Sequence, residues 1–335
     1  MDRGDRAAAR SQPIACGAPL GAAAKSPDIV VTELMDAAAI ESLAQDFVVA
    51  YDEHLHKQPE ALAAVAANCR ALIVRNRTQV RRPLIEALPR LVAVGRLGVG
   101  LDNIDVAACR ERSIAVLPAT GANADAVAEY VVTGLLLLFR RAFQATDRVA
   151  NGDWPRNDLI GREVASKVLG LIGFGGTARA VAVRAAALGM RVSAYDPALP
   201  NDAPVWVQFG AVPWPFDRII AEADAISLHV PLTDATRGLI GAATLGHMKP
   251  TAILINAARG GIVDEAALAQ ALAAGRLGGA LLDVYAAEPL GADNPFHGVP
   301  NLLLTPHIAG VTAESNARVS IMVADAVRQA LEGRS

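Results

Sequence analysis

Short runs of β-branched and aliphatic residues alternate, between residues 28 and 120, with stretches whose apolar positions recur every three to four residues. DIVVTEL (28–34), ALIVRNR (71–77), LVAVGRLG (91–98) and SIAVLP (113–118) read as strands; EALAAVAANC (60–69) and VAAC (106–109) read as helix. A long helical pattern then runs from Asn123 to Val149, with Asn123 as its expected N-cap, and NGDWP (151–155) breaks it. A second series begins at VLGLIGFG (168–175) and continues through strands at RVSAYD (191–196), AISLHV (225–230), AILINAA (252–258), GALLDVY (279–285) and NLLLTP (301–306). The segment from Thr312 to Glu332 is helical again. Strands alternating with helices mean βαβ units and parallel sheets, so the pattern predicts an α/β chain of two such units with a long helix at the seam.

Composition narrows the class. With 53% hydrophobic and 19% charged residues and a net charge of −3, no basic stripe suited to DNA or RNA is present, and no nucleic-acid partner is expected. The apolar run YVVTGLLLLF (130–139), closed by Arg140 and Arg141, falls short of the roughly 18–20 residues a membrane span needs. It reads as a buried helix, and no membrane partner is expected. Cys16, Cys69 and Cys109 form neither a CxxC pair nor a disulfide framework, which fits a reducing cytoplasm, and no metal site is read. Residues 1–26, rich in Ala, Gly and Arg but with Asp2 and Asp5 and no continuous apolar core, read as a mobile tail or an over-extended start rather than a targeting signal.

Candidate chemistry concentrates in the second series. Gly173-x-Gly175-x-x-Ala178 follows a strand and opens a helix, the arrangement in which backbone N–H groups and a helix N-terminus meet a pyrophosphate. Asp196 ends the next strand, where a carboxylate would take ribose hydroxyls, and no arginine follows in YDPALPND (195–202) to pair a 2′-phosphate. NAD is therefore favoured over NADP, the alternative being a glycine-rich turn without a ligand. Arg259, Glu288 and His307 each follow a strand of this unit, at the edge where ligands collect in open α/β sheets. A histidine suits proton exchange with a developing alkoxide, a neighbouring carboxylate favours the imidazolium, and a guanidinium grips a carboxylate and polarises a carbonyl. Singly, each also reads as a strand-end cap, a solvated loop charge or a turn histidine.

Seven stretches together resemble the D-isomer-specific 2-hydroxyacid dehydrogenases: VGRLGVGLDNID (94–105), NADAVAEYV (123–131), LIGFGGTA (171–178), LHVPLTDATRGLI (228–240), INAARGGIVDEAAL (255–268), LLDVYAAEPL (281–290) and TPHIAG (305–310). The resemblance spans about residues 28–328. It implies two doubly wound parallel-sheet domains, Rossmann-like and flavodoxin-like, with the active site in the cleft between them. Residues 27–124 plus 308–335 would form a discontinuous substrate domain, and 125–307 the NAD-binding domain. It further implies hydride transfer between nicotinamide and C2 of a 2-hydroxy or 2-keto acid, with Arg259 as substrate clamp, Glu288 as histidine partner and His307 as acid/base. Cofactor contacts would come from Gly173, Gly175, Gly176, Thr177, Ala178, Asp196, His229, Pro231, Ala257, Arg259, Asp283 and His307, with Asp283 on the nicotinamide amide. The amides of Val99 and Gly100 would hold the substrate carboxylate, and the long helix would pack in a homodimer. His229 reads more as lining than as acid/base.

Two departures from the family pattern stand out. Ala178 replaces the third glycine, which should slightly loosen helix–strand packing, and Ser166 stands where glycine is usual, an exchange expected to be silent. The chain ends just after its closing helix, so no C-terminal regulatory domain is expected.

Substrate identity turns on LIVRNRTQV (72–80), which phosphoglycerate dehydrogenases resemble. Arg75 and Arg77, two apart, would point the same way on an extended chain, and with Asn76 they would meet a second anionic group. Sulfolactate, 3-phosphoglycerate and malate-like acids follow, with resemblance to a sulfolactate dehydrogenase branch in RNRTQV and GRLGVGLDNID; two surface arginines are the alternative. Glyoxylate/hydroxypyruvate or D-lactate reduction remains open, as does an NAD(H)-sensing corepressor, a kind of protein the family also contains.

Overall fold

The computed structural model describes residues 26–333, so the tail expected at 1–26 falls, Ser26 apart, outside the described residues. Two all-parallel sheets organise the chain. The first runs β1 (Ile29–Val31), β2 (Val49–Tyr51), β3 (Ala71–Val74), β4 (Ala93–Arg96) and β5 (Ala115–Pro118), in the order β2-β1-β3-β4-β5. The second comprises β6 (Val168–Ile172), β7 (Arg191–Tyr195), β8 (Ala211–Pro213), β9 (Ala225–Leu228), β10 (Ile253–Asn256), β11 (Gly279–Leu282) and β12 (Leu302–Leu304), in the order β12-β11-β10-β9-β6-β7-β8. Central strands are buried along their whole length, as in β3, β6, β9 and β10, because helices cover both faces of a parallel sheet. Strand order reverses at β1/β3 and at β6/β9. Such switch points open a crevice at the C-terminal ends of the strands, where ligands bind.

Two long helices join the units. The Ala124–Arg140 helix buries Val127, Val131, Leu135, Leu138 and Phe139 against Leu169, Leu171, Ile253, Ile255 and Leu281 of the second sheet. Gly134 lets it approach closely, since a β-carbon there would lie 2.8 Å from Leu281 Cδ1. The apolar run 130–139, read as a buried helix, is thus core. The Ala313–Glu332 helix, capped by Thr312, whose side chain accepts from Ser315 N (3.0 Å), returns to the first sheet. It packs Val319, Val323, Val327 and Leu331 beside Ile29, Val31 and Ala93; each such side chain contributes roughly 1.5–3 kcal/mol over an exposed one.

Several local expectations change. The helix expected to reach Val149 stops at Arg140; Arg141 turns left-handed (φ 55), and Arg162 N donates to Phe139 O (2.7 Å) as residues 161–162 cross the helix end. A tertiary partner twenty-three residues away, Arg162 against Phe139, ends it. Asn123 makes no side-chain cap bond; its side chain lies against Gly310 at the cleft instead. Strands β2 and β8 were not expected. Ala178 is fully buried within the core of the second unit. Ser166, expected to be silent, sits at φ 64, a left-handed backbone where a side chain costs about 1–2 kcal/mol relative to glycine. Because Ser166 is exposed, Ser166→Gly should lose no packing and raise stability by about 1 kcal/mol, read as a higher Tm. An unchanged or lower Tm would contradict that conformation.

Candidate active site

Loops from the C-terminal ends of both sheets meet in one cleft. A cavity of about 210 Å³ there is lined from the first unit by Arg75, Asn76, Arg77, Arg96, Leu97, Gly98 and Val99, and from the second by Ala257, Arg259, Asp283, Pro306 and His307, among others. A second, larger cavity shares Arg77, Asn76 and His307 and is walled by Tyr285, Glu288 and Thr305.

Within this cleft the three residues expected to act together do meet. His307 Nδ1 donates to Glu288 Oε2 (2.7 Å), leaving Nε2 for the cleft. Glu288 Oε1 accepts from Tyr285 N (3.0 Å), so the carboxylate is fixed at both oxygens. Burial alone would raise the Glu288 pKa; the His307 bond, the Tyr285 amide and the Arg259 charge outweigh it and hold the carboxyl below its usual 4.5. Glu288 is accordingly ionised at neutral pH. With its folded pKa depressed, its contribution to stability is present above 4.5 and lost as pH falls through the lower folded value. Melting curves of the wild type and Glu288→Gln should therefore converge as pH falls below 4.5 and separate as it rises above that value; a gap that widens on acidification would refute the pairing.

His307 itself adopts a left-handed backbone (φ 55), which histidine tolerates better than bulky residues. Its N–H donates to Asp283 O (2.8 Å) and Thr305 O (3.1 Å). The buried Asp283 carboxylate anchors the same turn, accepting from Thr305 Oγ1 (2.6 Å), Ile308 N (2.8 Å) and Ala309 N (2.8 Å). Tyr130 of the long helix touches Thr305 Oγ1 and extends this network into the core.

Arg259 reaches across the cleft, donating from Nε to Asp102 Oδ2 (2.8 Å) of the first unit and from Nη1 to Ala258 O. Its guanidinium lies on the backbone of Gly100, where any β-carbon would collide with Nη2. Val99 lines the cavity beside it.

Arg75 and Arg77 both face the cavity, though not for the reason read from periodicity. β3 ends at Val74, and residues 75–78 are not extended; they turn around the buried carboxylate of Glu33. Arg75 Nη1 donates to Asn316 Oδ1 (2.9 Å) and Leu34 O (3.2 Å). Arg96, which sequence reasoning passed over, joins them at the end of β4. Its Nε is buried without a hydrogen-bond partner among the described residues, and burial, then Arg259 and Arg75, pull its pKa down to about 10. The usable signal was a charged residue inside a strand that ends at the cleft.

The comparisons with known proteins agree on one family. Residues 132–309 match the family described as D-isomer specific 2-hydroxyacid dehydrogenase, NAD binding domain. An (S)-sulfolactate dehydrogenase of Chromohalobacter salexigens is 53% identical over 308 residues, covering 92% of this chain and 99% of that protein. The chain belongs to the D-isomer-specific 2-hydroxyacid dehydrogenase family. A D-3-phosphoglycerate dehydrogenase of Archaeoglobus fulgidus is 41% identical over 78% of this chain, which spans half of that protein's length. Among solved structures, D-lactate dehydrogenase of Aquifex aeolicus, complexed with NAD and lactic acid, superposes with a TM-score of 0.81 at 27% identity over 91% of this chain and 96% of that one. The chain is thus an NAD-dependent 2-hydroxyacid dehydrogenase, with a small-molecule hydroxy or keto acid as its substrate class.

The dehydrogenase's second unit fits NAD. Gly173 (φ 88) passes so close to the β9 loop that a β-carbon would lie 2.6 Å from His229 O, whereas Gly175 and Gly176 face open space at the start of the Gly176–Ala187 helix. Thr177 follows on the first helical turn. Asp196 Oδ2 accepts from Phe174 N (2.9 Å), so the carboxylate steadies the glycine turn and stands at the end of β7. His229 binds Ser227 Oγ through Nε2 (3.0 Å), and burial pushes its pKa down to about 4, so it stays neutral. Pro231 O accepts from Thr236 Oγ1 (2.6 Å) in the adjoining loop, and Ala257 borders the cleft. Asp196→Ser should remove the charge that repels a 2′-phosphate and narrow the preference for NAD over NADP by about tenfold or more, read as the ratio of kcat/KM values. An unchanged ratio would place cofactor discrimination elsewhere.

Proposed function

We propose that the substrate is a D-configured 2-hydroxy acid carrying a second anionic group at C3, with (S)-sulfolactate foremost. One observation carries this reading: four guanidinium-bearing residues, Arg75, Arg77, Arg96 and Arg259, line a single cavity of about 210 Å³. One carboxylate needs one such clamp; a second anion accounts for the others. The S descriptor agrees with a D configuration, because sulfur at C3 outranks the carboxyl and reverses the label that lactate would carry.

In this reading Arg259 and the backbone at Val99–Gly100 grip the C2 carboxylate, and Arg75, Arg77 and Arg96, with Asn76 beside them, meet the C3 anion. Bound NAD supplies the acceptor for the C2 hydride. His307 Nε2 takes the C2 hydroxyl proton as the C2–H bond breaks, and returns it when the keto acid is reduced. Glu288 favours the resulting imidazolium, and Arg259 polarises the C2 oxygen. Asp283, three of whose acceptor positions already hold the His307 turn, has room at Oδ2 for the nicotinamide amide. Residues 173–178, Asp196, His229, Pro231 and Ala257 hold the rest of the dinucleotide.

The same reading divides the chain into a substrate domain, 27–124 plus 308–335, and a cofactor domain, 125–307. The return of the Ala313–Glu332 helix to the first sheet supports that division. A homodimer follows from the apolar side chains exposed beyond the long helix: Phe143, Val149, Trp154 and Ile160. Light scattering giving twice the chain mass would support it, and a monomer would remove it. Buried, unpaired Cys69 and Cys109 suit a cytoplasmic setting.

NADH formation measured with NAD and (S)-sulfolactate, D-3-phosphoglycerate, malate, D-glycerate and D-lactate tests the proposal. Preference for a C3 sulfonate or phosphate supports it. Equal rates on lactate or glycerate would discard the second anion, and tight NADH binding without turnover would favour a sensor.

A further inference from the structure

A buried carboxylate outside the cleft lining organises the loop that supplies two of the cavity's four arginines. Glu33, at the end of the β1 segment, is 3% exposed. Its Oε1 accepts from Arg75 N (2.9 Å) and Thr78 N (2.9 Å), and Oε2 accepts from Arg77 N (3.0 Å). Three amides of one short loop therefore converge on one carboxylate, in the manner of a backbone anion nest. The loop's carbonyls are held from the opposite side: Asn103 Nδ2 donates to Arg75 O (3.2 Å) and Thr78 O (2.8 Å). Thr32 and Thr78 close it with a hydroxyl contact of 2.7 Å.

With amides and carbonyls tied inward, the side chains of Arg75, Asn76 and Arg77 are left facing the cavity. A buried negative charge close to an anion-binding site opposes ligand charge, so its presence needs a compensating reason. The reason is twofold. Burial alone would neutralise the carboxyl, but the hydrogen bonds from Thr78, Arg75 and Arg77 outweigh it and hold Glu33 charged, below its usual value, and that charge favours the protonated forms of Arg75 and Arg96.

We propose that Glu33 is a positioning residue for substrate specificity: its carboxylate sets the 75–78 loop so that Arg75 and Arg77 present a pre-formed site for the C3 anion. The proposal rests on the second-anion reading above. Glu33 touches neither substrate nor cofactor and acts through the loop alone. A neutral amide at this position would accept fewer amides and bring an N–H₂ against the loop's own donors, so the arginines would lose their fixed aim while the C2 machinery stayed in place.

The test compares (S)-sulfolactate with D-lactate in steady-state oxidation by the wild type, Glu33→Gln, Glu33→Asp and Arg75→Ala. In Glu33→Gln the ratio of kcat/KM for sulfolactate to that for lactate should fall about tenfold or more, through KM rather than kcat, the scale of one lost charge-assisted hydrogen bond. Glu33→Asp, which keeps the charge, should recover part of the ratio. A parallel decline on both substrates would reduce Glu33 to a structural role and overturn the proposal. If Arg75→Ala collapses the ratio and Glu33→Gln does not, the positioning role fails and the anion pocket stands. If neither changes it, the second-anion reading itself fails. Should Glu33→Gln not fold, Asn103→Ala removes the other half of the clamp and should lower the ratio in the same direction; an unchanged ratio there also overturns the proposal.

Discussion

Replacing His307 by glutamine is expected to lower kcat by about 10²–10⁴-fold with every 2-hydroxy acid the protein oxidises. Among the described residues, the imidazole is the one proton-exchanging side chain that lines the cavity with a carboxylate bonded behind it, at 2.7 Å from Glu288. Glutamine keeps a polar group of similar reach but neither holds nor releases a proton at neutral pH. The loss should therefore fall on kcat, since the interaction matters most as the C–H bond breaks. A mixed effect dominated by KM would mean that His307 orients the substrate rather than exchanging its proton. The φ of 55 at this residue bears on the same point, because the turn that presents the ring is held by Asp283 and Thr305 and not by the ring itself.

Arg75→Ala should weaken the binding of a C3-anionic substrate by about 2–5 kcal/mol, the usual consequence of removing one partner of a desolvated charge pair. In KM that is about thirtyfold or more. D-lactate, with a methyl group where the anion would be, serves as the control. Some of the effect on either substrate will come from the lost bonds to Asn316 and Leu34, which tie the first unit to the closing helix. Only the difference between the two substrates reports the anion site, and equal small changes would assign Arg75 to that structural tie.

Much of this architecture was legible because parallel sheets write themselves as unbroken apolar runs. β3, β6, β9 and β10 are buried at every position, and their sequences carry almost no polar residue. β2 and β8 left no such trace: each is three residues long, at a sheet edge and partly exposed, so their pairing comes from the neighbour and not from local pattern. The end of the long helix was equally invisible, since Arg141 is an ordinary helix former and the segment that caps the helix arrives at Gly161–Arg162. Arg259, Glu288 and His307 could be placed because each follows a readable strand. Glu33 and Asn103 could not, because their role lies in backbone groups that a sequence does not display. Arg75 and Arg77 show how a right location can come with a wrong reason. An extended strand would have pointed both the same way, whereas the chain turns there, and a buried carboxylate does the aligning.

The most direct test is the structure of the protein with NAD and (S)-sulfolactate bound. The account predicts the C2 carboxylate between Arg259 and the Val99–Gly100 backbone, the C2 oxygen within hydrogen-bond reach of His307 Nε2, and the sulfonate against Arg75, Arg77 and Arg96. A sulfonate turned to solvent, with those three side chains unengaged, would contradict it.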